Sequence, residues 1–566
     1  MADNSLDAKQ HEALPPLASL LASGFILDSR PREQQLDQTQ PQIRILRLLR
    51  GFWTDPIRCN TFVAYLRDNP VYTALSYAWG NEPPLREIML NGVQFFVTPN
   101  LFSALRRLRK PDVERDLWID AICINQEDNA EKSHQVQLMG TIFSMATDGI
   151  MWLGDYIEPS LASDPKLSPL VTYAERGKIS WIYAARDFAC ISRLANNAHL
   201  EAHDTGTETS YRSETPDRAS SLESIMTLSW WERAWTVQEV VLVPSVTFQC
   251  GSFSIGLEAL EKAENYFMRH TTYTRCCKTD SRRQYGLNMM STRINIIMMM
   301  RNYRSEVHDF VNALDVVRRR HASDKRDKVY SLFGLYPTGL TPLSVDYSLT
   351  ETEVCRKTLL ELIQNSGDLL PFLRGIETDR NPILPSWVPD WCNTSKTYES
   401  ITHDLSHYRH HSAANSRRAA IVEISWRTIS LLGHFVDYIA RITRNNFEED
   451  ALDELSVPWR SSPAYPWGGS YSDAFQKVAD LCWGNNNGAY VYFVTERGLL
   501  GAALHDVRIR DQVYLLFGGN VPFVLRPSSA DVPYPAHDYV SHSYIQGIMQ
   551  GEAMNDDSEG QWVFLV

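Results

Sequence analysis

Leu117-Trp118-Ile119-Asp120-Ala121-Ile122-Cys123-Ile124 is an apolar run broken once, by the carboxylate of Asp120. A run of this length without alternation predicts a strand covered on both faces, the pattern of parallel sheets. Behind it, Val136, Met139, Phe143 and Ala146 keep helical spacing and predict a helix from Asn129 to about Thr147. Ile150 to Leu153, closed by Gly154-Asp155, reads as a second buried strand. Upstream, Arg86 to Leu90 and Val93 to Val97 flank Asn91-Gly92, the pair that most readily supplies the positive φ angles of a two-residue hairpin. Thr98-Pro99 then offers an N-cap and a first-turn proline for a helix carrying Leu101, Leu105 and Leu108. Strand-like runs at Ile43 to Leu48, Ile57 to Tyr65 and Tyr72 to Tyr77 precede these elements. Two strand-to-helix units in succession predict an α/β domain built on an open, mainly parallel sheet with helices on its faces.

A chain of 566 residues is too long for one core and predicts about three or four domains. Residues 1–42, with a Gln/Asp/Pro-rich tract, read as a disordered tail, and residues 43–250 as the α/β domain with an exposed polar insertion at 201–220. Ser229 and Glu232 have the spacing of a capping box, which predicts a helix bearing Trp231, Trp235 and Gln238. Residues 251–392 read as mainly helical, with a methionine-rich stretch from Leu287 to Met300 and a second capping box, Thr350-x-x-Glu353. A polar linker at 393–418 leads to a β-rich region, 419–566. There Tyr490 to Thr495, Asp511 to Phe517 and Pro522 to Arg526 are short strands divided by glycine-containing turns, the pattern of a small barrel or sandwich.

Hydrophobic residues make up 44% of the chain and charged residues 22%, which argues against extended disorder, a collagen or a coiled-coil rod. The 55 Lys and Arg against 68 Asp and Glu leave a net charge of −13 with no long basic run, so a nucleic-acid partner is not expected. Nine cysteines, an odd number without a C-x-x-C pair, read as reduced thiols of a cytoplasmic protein. The N-terminal residues lack the pattern of a secretory signal, and no apolar run is long enough to span a membrane.

Asp120 is the most informative residue, because an ionised carboxylate among apolar neighbours is costly unless donors or a cation satisfy it. In an open α/β sheet the usual ligand site is the crevice outside the carboxyl ends of the strands. Cys123, Asn125 and Gln126 would sit there. The alternative is that Asp120 simply braces the following loop. Glu127 and Glu131 fall at the start of the next helix, where the helix dipole alone accounts for them. Trp231, Trp235, Gln238 and Glu239 share a helical sector that Trp79 can approach, although tryptophans at such spacing are more often core than a stacking platform. The methionines near 289–300 are read as core filling. Cys276-Cys277 and the histidines at 403, 407, 410 and 411 each lack the complementary ligands of a closed zinc site, so no metal is expected.

Three blocks carry a likeness: Tyr72-Thr-Ala-Leu-Ser-Tyr-Ala-Trp-Gly80, Leu117-Trp-Ile-Asp-Ala-Ile-Cys-Ile-Asn-Gln126 and Met151-Trp-Leu-Gly-Asp155. In order and spacing they resemble the signature blocks of the fungal heterokaryon-incompatibility (HET) domain. Trp230-Trp-Glu-Arg-Ala-Trp-Thr-Val-Gln-Glu239 resembles the tryptophan-rich block closing that domain. Ala322-Ser-Asp-Lys-Arg-Asp-Lys-Val-Tyr330 and Gly547-Ile-Met-Gln-Gly-Glu552 are similar to motifs that follow it. The resemblance implies a cytoplasmic protein of filamentous fungi acting in non-self recognition and regulated cell death, through a protein partner or a homo-oligomer. It also implies a distant likeness to the Toll/interleukin-receptor fold, some of whose members hydrolyse NAD. On that alternative NAD is the substrate and Asp120, Glu127, Glu131 and Glu239 are the catalytic candidates, with Glu127, Glu131 or Glu239 stabilising the oxocarbenium-like centre. The crevice would be lined by Tyr77, Trp79, Gly80, Cys123, Asn125, Gln126, Trp235 and Gln238. No G-x-x-x-x-G-K-[ST] loop or repeat array accompanies these blocks.

Overall fold

The computed structural model describes residues 35–80, 83, 85–156, 181–199, 222–277, 281–304, 306–336, 344–373, 380–393, 410–443, 478, 490–504, 506–554 and 559–566. The expected tail up to residue 34, the 201–220 insertion and most of the 393–418 linker, with His403 and His407, lie outside them. Residues 35–42 belong to the fold: Leu36 is buried, and Gln42 opens the first strand.

Among the described residues the N-terminal sheet has nine strands. β1 (Gln42–Leu48) pairs antiparallel with β2 (Arg58–Tyr65), register Gln42 to Tyr65. β3 (Thr73–Tyr77) is fully buried, and β4 (Arg86–Leu90) and β5 (Val93–Val97) form the expected hairpin. Asn91 and Gly92 have φ of 53° and 80°, which is why this pair occupies the turn. Helix α1 (Pro99–Leu108) starts at Thr98, whose side chain accepts from the Leu101 N–H. Next come β6 (Arg115–Trp118), α2 (Asn129–Met145) and β7 (Asp148–Gly154). α3 (Trp181–Ala195) and α4 (Thr236–Leu242) precede β8 (Val246–Cys250) and β9 (Phe253–Gly256).

The strand order is β5-β4-β2-β1-β6-β3-β7-β8-β9. The four central strands, β6-β3-β7-β8, run parallel, while β1 joins β6 antiparallel and β9 joins β8 antiparallel. The sheet is therefore mixed, not mainly parallel. On one side the parallel centre is flanked by β1, whose partner β6 is too distant in sequence for a local pattern to announce, and on the other by the β8–β9 hairpin.

Two further expectations are corrected. The apolar run after Leu117 is strand only to Trp118; Asp120–Cys123 is a helical turn. Every residue from Leu117 to Ile124 except Asp120 and Ala121 is buried, and hydrophobicity alone cannot separate a buried turn from a buried strand. Ser229–Glu232 is a short 3-10 turn without a side-chain cap, and the helix begins only at Thr236. Trp231 stacks on Phe248 of β8 at 5.2 Å, holding that turn to the sheet in place of a helix.

The middle of the chain is helical: α5 (Leu257–Met268), α6 (Ser281–Asn302), α7 (Val307–Val317) and α8 (Glu351–Ser366). The Thr350/Glu353 capping box is formed, and α8 ends at Gly367 in the left-handed region. Beyond β10 (Ile421–Glu423) lies a barrel. Its strands are β11 (Ile429–Thr443), β12 (Tyr490–Thr495), β13 (Leu500–Leu504), β14 (Gln512–Leu516), β15 (Phe523–Pro527) and β16 (Ala536–Ile545), with β17 (Gln561–Leu565) alongside. The long strand β11 pairs with β12 near its end and with β14 nearer its start, closing the circuit β11-β12-β13-β16-β15-β14. Closure leaves these strands without a free edge.

Candidate functional site

β6 and β3 run parallel with Trp118, the last residue of β6, opposite Ala74 near the start of β3, and the polar residues gather where both chains continue beyond that pair. Past β3, the chain turns at Gly80 with φ of 76°. The preceding Ala78 carbonyl is held by Asn100 Nδ2 of α1 at 2.7 Å, and Asn100 Oδ1 accepts from the indole of Trp152 on β7 at 2.9 Å. Trp79 is thereby placed over Asp120, to which its Nε1 donates at 3.0 and 3.3 Å. Asp120 also accepts from the Ala121 N–H at 2.7 Å, and it is half-buried. Burial raises its carboxyl above the ordinary value, against the pull of Arg233, the Ala121 N–H and Trp79.

Behind Asp120, Ser76, Tyr77, Trp230 and Glu239 are buried, while Arg233 is half-buried. Glu239 of α4 accepts from the hydroxyl of Ser76 in β3, and the Trp230 indole donates to the same Ser76 Oγ at 2.8 Å. Arg233 donates to the Tyr77 carbonyl. Burial pushes the Glu239 carboxyl up to about 7, with Arg233 opposing and Asp120 reinforcing the shift. Burial likewise raises the Tyr77 hydroxyl well above its usual value. Two carboxylates thus face one guanidinium, and near neutral pH Glu239 can hold or release a proton inside the domain.

The rest of the expected set is divided. Glu131 is ion-paired with Arg44 of β1, Nη1 to Oε1 at 2.5 Å and Nη2 to Oε2 at 2.8 Å, both side chains being buried. Arg44 also donates to the Cys123 carbonyl at 3.0 Å, and Glu131 accepts from the Asn125 N–H at 2.7 Å. Gln126 Nε2 donates to the Asp120 carbonyl at 3.1 Å. Cys123, Asn125, Gln126 and Glu131 are therefore parts of a brace that fixes the loop beneath Asp120. Glu127 is exposed. Trp235 and Gln238 turn toward the later motif. The Tyr347 hydroxyl donates to Asp327 at 2.7 Å, and Trp235 opposes the rise that burial gives that carboxyl. Gln238, with its amide nitrogen toward the Ser331 carbonyl and its oxygen toward the Gly140 N–H, sits at the close crossing of Gly140 and Gly334.

Ser76, Asn100, Trp230 and Arg233 complete the cluster and are absent from the expected set. Only Arg233 carried a signal, as a cation inside an aromatic block. Arg320, half-buried in the segment before the Asp-Lys-Arg-Asp-Lys motif, holds the Trp231 and Arg233 carbonyls at 2.8 and 3.3 Å. Outside the cluster, Cys276 and Cys277 do meet complementary side chains, His199 and His270, against the expectation from spacing.

Residues 72–239 match the model of the heterokaryon incompatibility protein (HET) family, and residues 464–566 match the Het-6 β-barrel domain. Both carboxylates, Arg233 and Ser76 fall within the first match. Over 399 residues the chain is 30% identical to heterokaryon incompatibility protein 6, OR allele, of Neurospora crassa, an alignment covering 61% of this chain and 57% of that protein. The chain thus spans little more than half the length of this curated relative. No solved structure matches.

Proposed function

Starting from the chain's place among the HET-domain proteins, we propose that it acts in fungal non-self recognition and regulated cell death, as an effector or interaction module in the cytoplasm. The observation that carries this reading is the charge-coupled cluster of Asp120, Arg233 and Glu239 beside β3 and the turn that follows β6, within the matched residues. Its outer member, Asp120, is half-buried under Trp79, where a partner or a second copy of the chain can reach it; Glu239 is sealed behind. The four-stranded parallel centre flanked by helices supports the distant Toll/interleukin-receptor likeness, which is part of the same proposal.

NAD hydrolysis is the less favoured reading. Glu131 is occupied by Arg44, Glu239 is buried against Ser76, and Glu127 stands exposed outside the cluster. Nicotinamide release from NAD, assayed on monomer and assembled protein, separates the two readings.

The direct test is Asp120. In a fungal host overexpressing the full chain, Asp120→Ala should abolish cell death. Asp120→Asn keeps an acceptor for Trp79 and isolates the effect of the charge facing Arg233. Death that persists with both variants folded and expressed at wild-type level removes Asp120 from the mechanism.

A further inference from the structure

Helix α5 does not end cleanly. It runs into a π-helical turn, Arg269–Tyr273, and the chain then reverses through Arg275, a non-glycine residue at φ of 53°. Such turns and left-handed residues are concentrated at functional sites, where the surroundings hold the strain. This reversal sets Cys276 and Cys277 against His270, and His199, just beyond α3, approaches from the side. One ligating atom from each of His199, His270, Cys276 and Cys277 lies within 4.8 Å of every other.

The individual contacts have the polarity of a metal centre. His270 Nδ1 is 3.0 Å from Cys276 Sγ, and His199 Nδ1 is 3.4 Å from Cys277 Sγ. The other nitrogen of His270, Nε2, lies 3.1 Å from Asn197 Oδ1. That arrangement places the proton on Nε2 and leaves the Nδ1 lone pair aimed at the sulfur atoms, as outer partners do for ligating histidines. The Thr274 hydroxyl donates to Cys276 Sγ at 3.1 Å and fixes the position of the sulfur. His270 and Cys277 are buried while Cys276 and His199 are exposed, so the cluster is anchored in the fold yet open to ion entry.

We propose that His199, His270, Cys276 and Cys277 form a four-ligand site for a structural zinc ion. Zinc–sulfur bonds of about 2.3 Å and zinc–nitrogen bonds of about 2.0 Å in a tetrahedron put ligand atoms about 3.3–3.8 Å apart, so closing the site needs side-chain shifts of about 1 Å or less. Two thiolates with two imidazoles select zinc over the harder divalent cations, and a set of four protein ligands leaves no open position for catalysis. The ion would fasten the chain after α3 to the end of α5, independently of the Asp120 cluster. The sequence hid this site because His199 joins it only through the packing of α3 on α5.

The test uses the full chain, purified in reductant without chelator, with metal content measured by mass spectrometry. One zinc per chain is expected, with loss of that zinc in His270→Ala and in the Cys276→Ser/Cys277→Ser double variant. Because either variant can misfold, the wild-type chain is also stripped and reloaded with cobalt(II). Strong visible absorption together with a thiolate-to-cobalt charge-transfer band reports a tetrahedral sulfur-containing site. Zinc content unchanged in a folded double variant overturns the proposal. So does a wild-type chain that retains no ion after reloading and desalting, or one whose cobalt form lacks the charge-transfer band.

Discussion

Glu239 sets the protonation of the buried cluster, and its effect on stability has a definite sign. Its carboxyl titrates near 7 in the folded chain, mainly through burial, against an ordinary value of 4.5. Between those values the native state holds a proton that the unfolded state has released. The resulting stabilisation is therefore complete below about pH 4.5 and is lost as pH rises through about 7, a change on the order of 3 kcal/mol. Glu239→Gln keeps an acceptor for Ser76 without a titrating group. Urea unfolding at pH 5 and pH 8 should show the wild type losing more stability than the variant, and equal losses would mean that the folded chain ionises Glu239 freely. Of this cluster, Asp120 was legible from sequence, because the cost of a carboxylate among Trp118, Ile119, Ile122 and Cys123 depends only on its neighbours in the chain. Ser76 was not, and Arg233 was marked only as a cation beside tryptophans, since both acquire their roles only when β3, α4 and the 3-10 turn are packed together.

At the scale of elements, the features governed by nearby residues follow the sequence: the Asn91-Gly92 hairpin, the Thr98 cap of α1 and the Thr350/Glu353 box of α8. The failures are those where a distant group overrides the local pattern. The Ser229/Glu232 spacing does not open a helix, because the backbone there is held by Arg320 and Trp231 is drawn onto Phe248. Cys276-Cys277 seemed to lack ligands for the same reason. The Arg44–Glu131 pair is the strongest instance, since it joins β1, the loop after Asp120 and the start of α2 in one buried contact. Removing one member of such a pair strands a charge, so Glu131→Ala should cost about 3–5 kcal/mol in chemical denaturation. The combined Arg44→Met/Glu131→Leu variant, which leaves no unpaired charge, should cost much less. A double variant as unstable as the single one would mean that the pair's hydrogen bonds to Cys123 and Asn125, not its charges, hold the loop.

Over the whole molecule, the helical region and the barrel share their core. One cluster of buried apolar side chains runs from Ile43 in β1 to Leu565 in β17, and Phe372 stands edge-on to Phe523 and tilted to Tyr539 of the barrel, at 6.4 and 6.0 Å. Main-chain bonds reinforce the junction: Leu369 donates to the Gly518 carbonyl and Ala419 to that of Gly367, each at 2.9 Å, while Ser386 donates to the Val566 carbonyl at 2.9 Å. Gly518, at φ of 88°, has no room for a side chain, because a Cβ there would lie 2.6 Å from that of Ala419. A barrel joined this closely cannot be removed without uncovering Phe372, Trp387 and Val388, all buried in the intact chain. Exposed apolar surface of that kind promotes association and weakens cooperativity. The intact chain should therefore show one calorimetric transition across the α/β, helical and barrel regions. A chain ending at residue 418, which removes β10 and every barrel strand, should bind hydrophobic dye and melt broadly, at lower temperature. A truncated chain that melts sharply at the temperature of the intact protein would establish the barrel as an appended module. In that case death signalling through Asp120 should also survive the barrel's removal; with a shared core, truncation abolishes it along with the fold.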